Sequence, residues 1–164
     1  MANDRNIPNI AICGSRYVGK STLAEKIVGS VKNKIIYDPN NEYVDRGGIN
    51  TDIETFKNIA LNVRECMIVW EEATIFFPRK GEDKKLTELL VSNRHRGVMN
   101  ILIFHSLGAL PIYIKDQINY IYLFHTKDTR TSVKRKFEHE ELMRTFDKIR
   151  KEGYKKGHYE IIEL

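Results

Sequence analysis

The most informative part of this sequence is Gly14-Ser15-Arg16-Tyr17-Val18-Gly19-Lys20-Ser21, followed by Thr22. It has the spacing G-x-x-x-x-G-K-S. It comes directly after the apolar run Asn9–Cys13, which predicts a buried strand, and it leads into a helix predicted over Lys20–Val31. Strand, glycine-rich loop and helix in this order are typical of a phosphate-binding loop, because glycines allow backbone N–H groups to turn inward around an anion.

The residue types in this loop indicate which ligand it holds. The helix that begins near Lys20 adds partial positive charge at its N-terminus. We expect the Lys20 ammonium to reach the β- and γ-phosphates of ATP, and the Ser21 hydroxyl to bind Mg²⁺. The nine residues from Gly14 to Thr22 are therefore the predicted nucleotide-binding residues, and Lys20 is also a candidate catalytic residue.

Apolar runs and amphipathic stretches alternate along the rest of the chain. Continuous apolar strands separated by helices indicate a mostly parallel sheet that is covered on both faces. We therefore predict an α/β protein with the three-layer P-loop NTPase fold, as a single domain over residues 1–164. Further strands are predicted at Lys34–Tyr37, Cys66–Trp70, Asn100–Phe104, Tyr120–Phe124 and Gly157–Leu164. Helices are predicted at Thr51–Val63, Lys84–Asn93 and Asp128–Lys151 (the last as one helix or two), with loops at Asp38–Asn50 and Phe76–Asp83.

The composition is that of a soluble globular protein. Of the 164 residues, 41% are hydrophobic and 30% are charged, which excludes extended disorder and collagen-like repetition. No run of 18 apolar residues is present, and the N-terminus has no secretory signal pattern, so we expect no membrane insertion. Two cysteines are too few for a disulfide scaffold, so Cys13 and Cys66 are predicted to be reduced and buried. The net charge of +5 permits a polyanionic partner.

A pair of acids ends the third predicted strand. Glu71 and Glu72 follow Met67–Trp70 directly. ATP hydrolysis needs one carboxylate near the Mg²⁺ shell and one that activates the attacking water. In parallel sheets the site lies at the carboxyl ends of the strands. We assign Glu71 to the metal and Glu72 to the water. The alternative is that the pair only caps the following turn.

Further segments resemble the FtsK–HerA superfamily of DNA-pumping ATPases. The second predicted strand ends in Ile36-Tyr37-Asp38-Pro39-Asn40-Asn41-Glu42-Tyr43, which is similar to the superfamily's apolar strand followed by Asp-Pro-x-x-Glu-Tyr. Asn93-Arg94-His95-Arg96-Gly97 precedes the fourth strand, where the superfamily often has Arg-x-x-Gly. That strand ends in Ile103-Phe104-His105-Ser106, where the superfamily typically has Thr-Gln, and Thr126–Arg130 resembles its next strand-to-helix junction. The resemblance spans about residues 9–133, and Glu71 stands where the superfamily usually has Asp.

The resemblance implies roles for three more residues. His105 occupies the position of a polar residue near the γ-phosphate, and imidazole can donate to a phosphate oxygen. An arginine near the fourth strand would reach the nucleotide of the neighbouring subunit; Arg94 and Arg96 are the candidates, and Arg96 is slightly favoured. The alternatives are a histidine hydrogen-bonded to backbone and two solvated arginines that complement a helix dipole.

Two stretches could contact the phosphate backbone of DNA, which translocases grip through cations and N–H groups. Ile75–Gly81, extending to Lys84 and Lys85, mixes aromatic and basic residues just after the acidic pair. The segment 126–160 carries eleven Lys and Arg against seven Asp and Glu. Its acids are interleaved at helical spacing, so a solvated, salt-bridged face is the favoured interpretation of that segment.

Together these features favour an ATP-hydrolysing DNA translocase or packaging motor, a minimal ATPase of a virus or mobile element that acts as a homo-oligomeric ring. DNA and a portal or capsid vertex are the expected partners, in the host cytoplasm or the virion. One alternative is a small nucleoside or nucleotide kinase, with residues 128–136 as a lid, although adjacent acids suit hydrolysis better than a reaction that must exclude water. A weakly hydrolysing ATP-binding scaffold is the other alternative.

Overall fold

The computed structural model describes residues 7–77 and 83–164, and within them the chain forms seven strands and eight α-helices. The strands are β1 (Asn9–Cys13), β2 (Lys34–Tyr37), β3 (Gly48–Ile49), β4 (Met67–Trp70), β5 (Met99–Phe104), β6 (Tyr120–Phe124) and β7 (Tyr159–Glu163). The helices are α1 (Lys20–Gly29), α2 (Ile53–Asn62), α3 (Ala73–Phe76), α4 (Lys84–Val91), α5 (Asn93–Arg96), α6 (Ile112–Lys115), α7 (Arg130–Lys136) and α8 (Glu140–Glu152).

All seven strands belong to one sheet, in the order β3-β2-β4-β5-β1-β6-β7. Every neighbouring pair is parallel except β6 and β7, which are antiparallel. β1 is an inner strand between β5 and β6, whereas its sequence neighbour β2 is two strands beyond β5. The mostly parallel sheet predicted from the apolar runs is therefore confirmed, and Gly157–Leu164 does contain the closing strand.

The two faces of the sheet carry separate apolar layers, because successive strand residues point to opposite sides. In β1, Ile10 and Ile12 pack on the α1 side, while Ala11 and Cys13 pack on the side that carries α2, α4 and α8. Helices thus cover both faces, which is the predicted three-layer arrangement. The thiols of Cys13 and Cys66 are free and buried, as expected. In the described part of the chain, no helix has the length and apolar character to cross a bilayer.

Local capping corrects several predicted boundaries. The side chain of Asp52, and not Thr51, accepts from the Thr55 N–H at the start of α2. The predicted polar loop 38–50 contains the short strand β3 and a 3-10 turn at Val44–Arg46. The charged segment after β6 forms two helices, because Thr129 caps α7 and His139 caps α8.

A buried asparagine network fixes the central strands at their N-terminal edge. The Asn9 side chain donates to the backbone oxygens of Leu90 and Gln117, and its Oδ1 accepts from Asn100 at 2.9 Å. Asn100 in turn accepts from the indole N–H of Trp70 at 3.2 Å. Since buried polar groups are costly unless they are paired, this network favours one arrangement of β1, β4 and β5.

Candidate functional site

The strand order brings together the ends of three strands that are far apart in sequence. β4, β5 and β1 are adjacent, so Glu71 after β4, His105 after β5 and the loop after β1 share one edge of the sheet. A pocket of about 510 Å³ opens there. Its lining residues are Arg16, Tyr17, Gly19, Lys20, Ser21, Thr22, Glu42, Glu71, Glu72, His105 and Lys156.

Six of the nine predicted nucleotide-binding residues line this pocket, and three hold the loop in place. Val18 is fully buried in the α1-side core. The Gly14 N–H donates to the Phe104 carbonyl at 3.2 Å, and the Ser15 N–H donates to the His125 carbonyl at 2.9 Å. Gly14, Ser15 and Val18 are therefore anchoring residues of the loop in this structure, and the surface open to a ligand begins at Arg16.

Two glycines are required by the loop geometry. A Cβ on Gly14 would lie 2.6 Å from the Cβ of Phe124, a distance that real contacts do not reach. Gly19 has φ +108° at the N-cap of α1, a conformation that favours glycine. The first turn of α1 therefore begins directly at the pocket, with Lys20 as its first residue.

The Lys20 side chain is in an environment that an anionic ligand would stabilise. It is buried, and its Nζ donates to the Ser15 carbonyl at 2.7 Å. Burial lowers the pKa of the Lys20 ammonium, and the nearby Glu71 carboxylate opposes that effect. A phosphate group would supply the negative charge that stabilises a buried ammonium.

Glu71 and Ser21 meet as the sequence predicted for a metal-binding pair. The Ser21 hydroxyl donates to Glu71 Oε1 at 3.0 Å, and the Tyr43 hydroxyl donates to Oε2 at 3.4 Å. Burial, followed by the charges of Glu72 and Glu42, raises the pKa of Glu71 from 4.5 to about 7, although the two hydrogen bonds oppose the rise. A buried carboxylate beside a hydroxyl is a site that a cation would stabilise.

The donor set fits Mg²⁺ more than a cation held by protein groups alone. In the described residues, no cluster of three or more His, Cys, Asp or Glu is arranged to hold a metal. Mg²⁺ at phosphate sites takes only one or two protein ligands and keeps water and phosphate oxygens as the others. Ser21 and Glu71 are the two side chains that could supply those ligands.

Glu72 and His105 form the second polar pair of the pocket. His105 Nε2 lies 2.6 Å from Glu72 Oε2, and the His105 backbone N–H donates to the Thr74 hydroxyl at 2.8 Å. Glu72 has φ 57°, in the left-handed region that non-glycine residues adopt at a cost. The carboxylate that we assigned to water activation therefore contacts the imidazole that we assigned to phosphate sensing.

Tyr43 is a site residue whose role the sequence did not reveal. Its ring is buried, and burial and the Glu71 charge raise the pKa of its phenol. Buried Asp38 forms the turn that delivers it, because its carboxylate accepts from the backbone N–H groups of Glu42 and Tyr43 at 2.8 Å each. The Asp-Pro-Asn-Asn-Glu-Tyr run thus connects β2 to the carboxylate of Glu71.

The structure revises the expectation for Arg96. Its guanidinium donates to the Ala60 carbonyl at 2.6 Å, the Leu89 carbonyl at 3.0 Å and the Ser92 hydroxyl at 3.0 Å. These contacts tie α5 to α2 and α4 within the same chain. They leave few N–H groups of the Arg96 guanidinium for contact with a neighbouring subunit. The Arg94 side chain is exposed, so Arg94 is now the better candidate. Both arginines precede β5, at the edge of the sheet opposite the pocket.

The two candidate DNA-contacting stretches differ in what the structure shows of them. Pro78–Glu82 lies outside the described residues, so the predicted loop is described only up to Phe77 and from Asp83. Ile75 is 66% exposed just before it, and Lys85 pairs with Glu54 beyond it. In the C-terminal segment some of the cations pair with acids, as the salt-bridged interpretation expects, and the role of the segment toward DNA stays a prediction. The pairs are Arg144 with Glu140, Lys155 with Glu152 and Lys148 with Glu160.

Lys156 was missed as a pocket residue. We grouped it with the solvated cations of the C-terminal segment, yet it lines the same pocket as Lys20. No local signal could have separated it from Lys155, because both are lysines in one short turn. Glu42 also lines the pocket, as part of the Asp-Pro-Asn-Asn-Glu-Tyr run.

Comparisons with known proteins agree on the fold. No protein-family model matches the sequence, and no curated protein matches it significantly. Among solved structures, the genome packaging NTPase B204 from Sulfolobus turreted icosahedral virus 2, in complex with AMPPCP, matches with TM-score 0.76 and 18% identity, over 95% of this chain and 92% of that chain. Thermomonospora curvata EccC (ATPases 2 and 3) matches with TM-score 0.56 and 14% identity, over 76% of this chain and 31% of that one.

A third structure, the N-terminal domain of zonular occludens toxin from Neisseria meningitidis, matches with TM-score 0.50 and 12% identity, over 74% of this chain and 78% of that one. At these identities the likeness concerns the fold. The fold is the one that these P-loop ATPases share, as the order of strand, phosphate loop and helix predicted.

Proposed function

We propose that this chain is an ATP-hydrolysing motor that packages or translocates DNA, a minimal genome-packaging ATPase of a virus or mobile element. The observation that carries the proposal is one pocket in which Lys20, the Ser21–Glu71 pair and the Glu72–His105 pair converge. The fold likeness to B204, a genome packaging NTPase solved with AMPPCP, supports it over almost the whole chain.

Each pair suits one task in hydrolysis. Lys20 and the N-terminus of α1 would bind the phosphates of ATP. Ser21 and Glu71 would hold Mg²⁺, which neutralises charge on the phosphates when it is bound. Glu72 would accept a proton from the attacking water, and His105 would hold the Glu72 carboxylate in place through the 2.6 Å contact.

The kinase alternative is disfavoured by the segment that could have been a lid. Residues 128–136 include α7, and both ends of this segment are tied down. Asp128 accepts from the backbone N–H groups of Leu107 and Gly108, and Lys136 donates to the Gly108 carbonyl at 2.8 Å. Arg130 pairs with Asp147 of α8. A lid must move over its substrate, and these contacts hold the segment against the body of the protein.

DNA, a homo-oligomeric ring and a portal or capsid vertex complete the proposal as partners, with the host cytoplasm or the virion as the location. A motor must hold its polymer through successive strokes, so several subunits would surround the DNA. Arg94 would then be the cation that each subunit offers to its neighbour's nucleotide. The exposed Ile75 leads from the acidic pair toward the stretch that we propose contacts DNA.

The decisive experiment is the ATPase rate with and without DNA, together with the mass of the particle in ATP and Mg²⁺. We expect DNA to stimulate hydrolysis and ATP to promote assembly. Lys20→Ala should abolish ATP binding, whereas Lys26→Ala, an exposed lysine of the same helix, should bind ATP normally. A monomer that transfers phosphate to a nucleoside monophosphate would support the kinase instead. Slow hydrolysis that neither DNA nor assembly stimulates would support the scaffold.

A further inference from the structure

The turn between α8 and β7 is fastened to the phosphate loop. We call this turn, residues 153–158, the clasp. The Tyr154 hydroxyl donates to the Tyr17 carbonyl at 3.1 Å, and the Gly157 N–H donates to the Val18 carbonyl at 2.8 Å. The first contact joins residues 137 positions apart. The C-terminal hairpin therefore holds two consecutive carbonyls at the crest of the loop.

Glycine on both sides permits this close approach. A Cβ on Gly19 would lie 3.4 Å from the N and Cα atoms of Gly157. Gly157 itself has φ +79°, which favours glycine. Backbone thus packs against backbone immediately before the first turn of α1, which is the part of the loop that meets a bound anion.

The ring of Tyr154 gives the clasp a second contact with the residues that support the phosphate loop. Its ring stands edge-on to the His125 ring, with centroids 6.3 Å apart. The His125 carbonyl accepts from the Ser15 N–H, so His125 also belongs to the support of the loop. The clasp is consequently held at two points of the loop.

The clasp directs one of its two lysines to the pocket. Lys155 pairs with Glu152 at 3.6 Å on the outer side. Lys156 lines the pocket beside Gly19, Lys20 and Thr22. Three carboxylates, those of Glu42, Glu71 and Glu72, also line it, yet among the described residues none lies within ion-pair distance of the Lys156 ammonium. Lys156 is thus an exposed lysine that lines the pocket, and these acids leave its ammonium available for an anionic ligand.

We propose that Lys156 is a further nucleotide-binding residue, which binds the phosphate chain of ATP, and that the clasp is the element that positions it. This inference rests on the proposed nucleotide site. The inference adds the C-terminal hairpin, whose strand β7 lies at one edge of the sheet, to the proposed nucleotide site. Because the backbone of the clasp is already fastened, only the Lys156 side chain has to be ordered when its ammonium contacts a phosphate.

The test is the dissociation constant for ATP, measured by calorimetry on the full chain. Lys156→Ala should weaken ATP binding roughly 5- to 20-fold, because a charge-assisted contact is lost. Lys155→Ala, the matched control one residue away, should bind like the wild type. Lys156→Arg should restore most of the affinity. Equal affinity of Lys156→Ala and Lys155→Ala would overturn the proposal.

Tripolyphosphate, which has no base or ribose, tests the phosphate contact directly. Lys156→Ala should weaken its binding by about the same factor as it weakens ATP binding. Weaker ATP binding with unchanged tripolyphosphate binding would show a base or ribose contact and overturn the assignment to phosphate.

Tyr154→Phe tests whether the clasp positions the lysine, since it removes the bond to Tyr17 but keeps the ring. It should weaken ATP binding about 2- to 5-fold when Lys156 is present and have no further effect in Lys156→Ala. An equal loss in both backgrounds would contradict the positioning role. Failure of the proposed nucleotide site is distinguishable, because wild-type protein would then bind neither ATP nor tripolyphosphate, and Lys20→Ala would change nothing. Failure of the motor function alone would leave ATP binding intact and remove only the stimulation of hydrolysis by DNA.

Discussion

The imidazole of His105 lies 2.6 Å from the carboxylate of Glu72, Nε2 to Oε2, across the ends of two neighbouring strands. The contact joins the residue after β5 to the second acid after β4. In a motor of the proposed kind, this contact links His105, which would face the γ-phosphate, to Glu72, which would activate water. Movement of one residue would therefore alter the position of the other.

Glu72→Gln should retain ATP binding and lose hydrolysis by about 10²- to 10⁴-fold, because the amide is nearly isosteric but cannot accept a proton. The measurement is single-turnover hydrolysis beside the dissociation constant for ATP. Glu71→Gln is the comparison, and it should weaken the Mg²⁺-dependent part of binding. If Glu71→Gln binds normally and fails only in hydrolysis, the two roles are reversed.

His105→Ala should slow hydrolysis about 10- to 100-fold with ATP affinity changed little, because Glu72 loses the partner that holds it. His105→Gln should keep more activity, since its amide can still donate to Glu72 or to a phosphate oxygen. The two variants should be compared at saturating ATP. Equal loss in both would argue against hydrogen-bond donation as the function of His105.

The buried Glu71 predicts a pH-dependent stability in the absence of nucleotide. Its pKa is raised to about 7 by burial first, so the folded protein holds the proton more tightly than the unfolded chain. The associated stability is fully present below pH 4.5, the unfolded value, and is lost as the pH rises through about 7.

Glu71→Gln carries no charge and should therefore unfold like the wild type near pH 4.5 but be more stable above pH 7, by about 1–3 kcal/mol. Thermal unfolding across this range without nucleotide checks the difference. Adding ATP and Mg²⁺ should reverse the order at pH 8, because the wild type gains a ligand. A difference that does not change with pH would contradict the argument.

Arg96→Ala should destabilise the chain by about 1–3 kcal/mol, because the Ala60 and Leu89 carbonyls and the Ser92 hydroxyl lose their donor. Arg94→Ala should leave stability within about 0.5 kcal/mol. In the assembled protein, the Arg94→Ala substitution should slow hydrolysis by roughly 10³- to 10⁵-fold. Urea unfolding and ATPase assays separate the two effects.

Mixing Arg94→Ala with Glu72→Gln should restore part of the activity, because some mixed interfaces pair an intact Glu72 with an intact Arg94. The control is each variant alone at the same total concentration. Absence of recovery in a mixture that still assembles would exclude Arg94 as a cation supplied by the neighbour.

Asp38→Ala should destabilise the fold by about 1–3 kcal/mol, since the N–H groups of Glu42 and Tyr43 lose their acceptor. Asp38→Asn keeps one acceptor oxygen and should lose less. Tyr43→Phe removes a hydroxyl that contacts Glu71 at 3.4 Å and also interacts with Ser21, and should cost under about 1 kcal/mol. Chemical denaturation of the three variants should give that order of stability.

The main elements and the phosphate loop could be predicted from local sequence patterns. Apolar runs and helical periodicity gave the main strands and helices close to their observed bounds, because such patterns act over a few residues. The spacing from Gly14 to Ser21 predicted the loop. Gly19 meets a local need, a positive φ, whereas the lack of room for a Cβ at Gly14 is set by Phe124 on the distant strand β6. The role predicted for the two acids after β4 followed from the rule that sites in parallel sheets lie at the carboxyl ends of the strands.

Which of those residues meet depends on contacts between segments that are distant in sequence. The order β4-β5-β1 is fixed by packing between distant segments and by the buried contacts among Asn9, Asn100 and Trp70, and no local pattern encodes it. That order places His105 against Glu72. Side-chain direction likewise turned Arg96 inward and left Arg94 exposed, although both belong to one short helix. Lys156 reached the pocket because the β6–β7 pairing returns the chain to the phosphate loop, and such pairing is a property of the whole sheet.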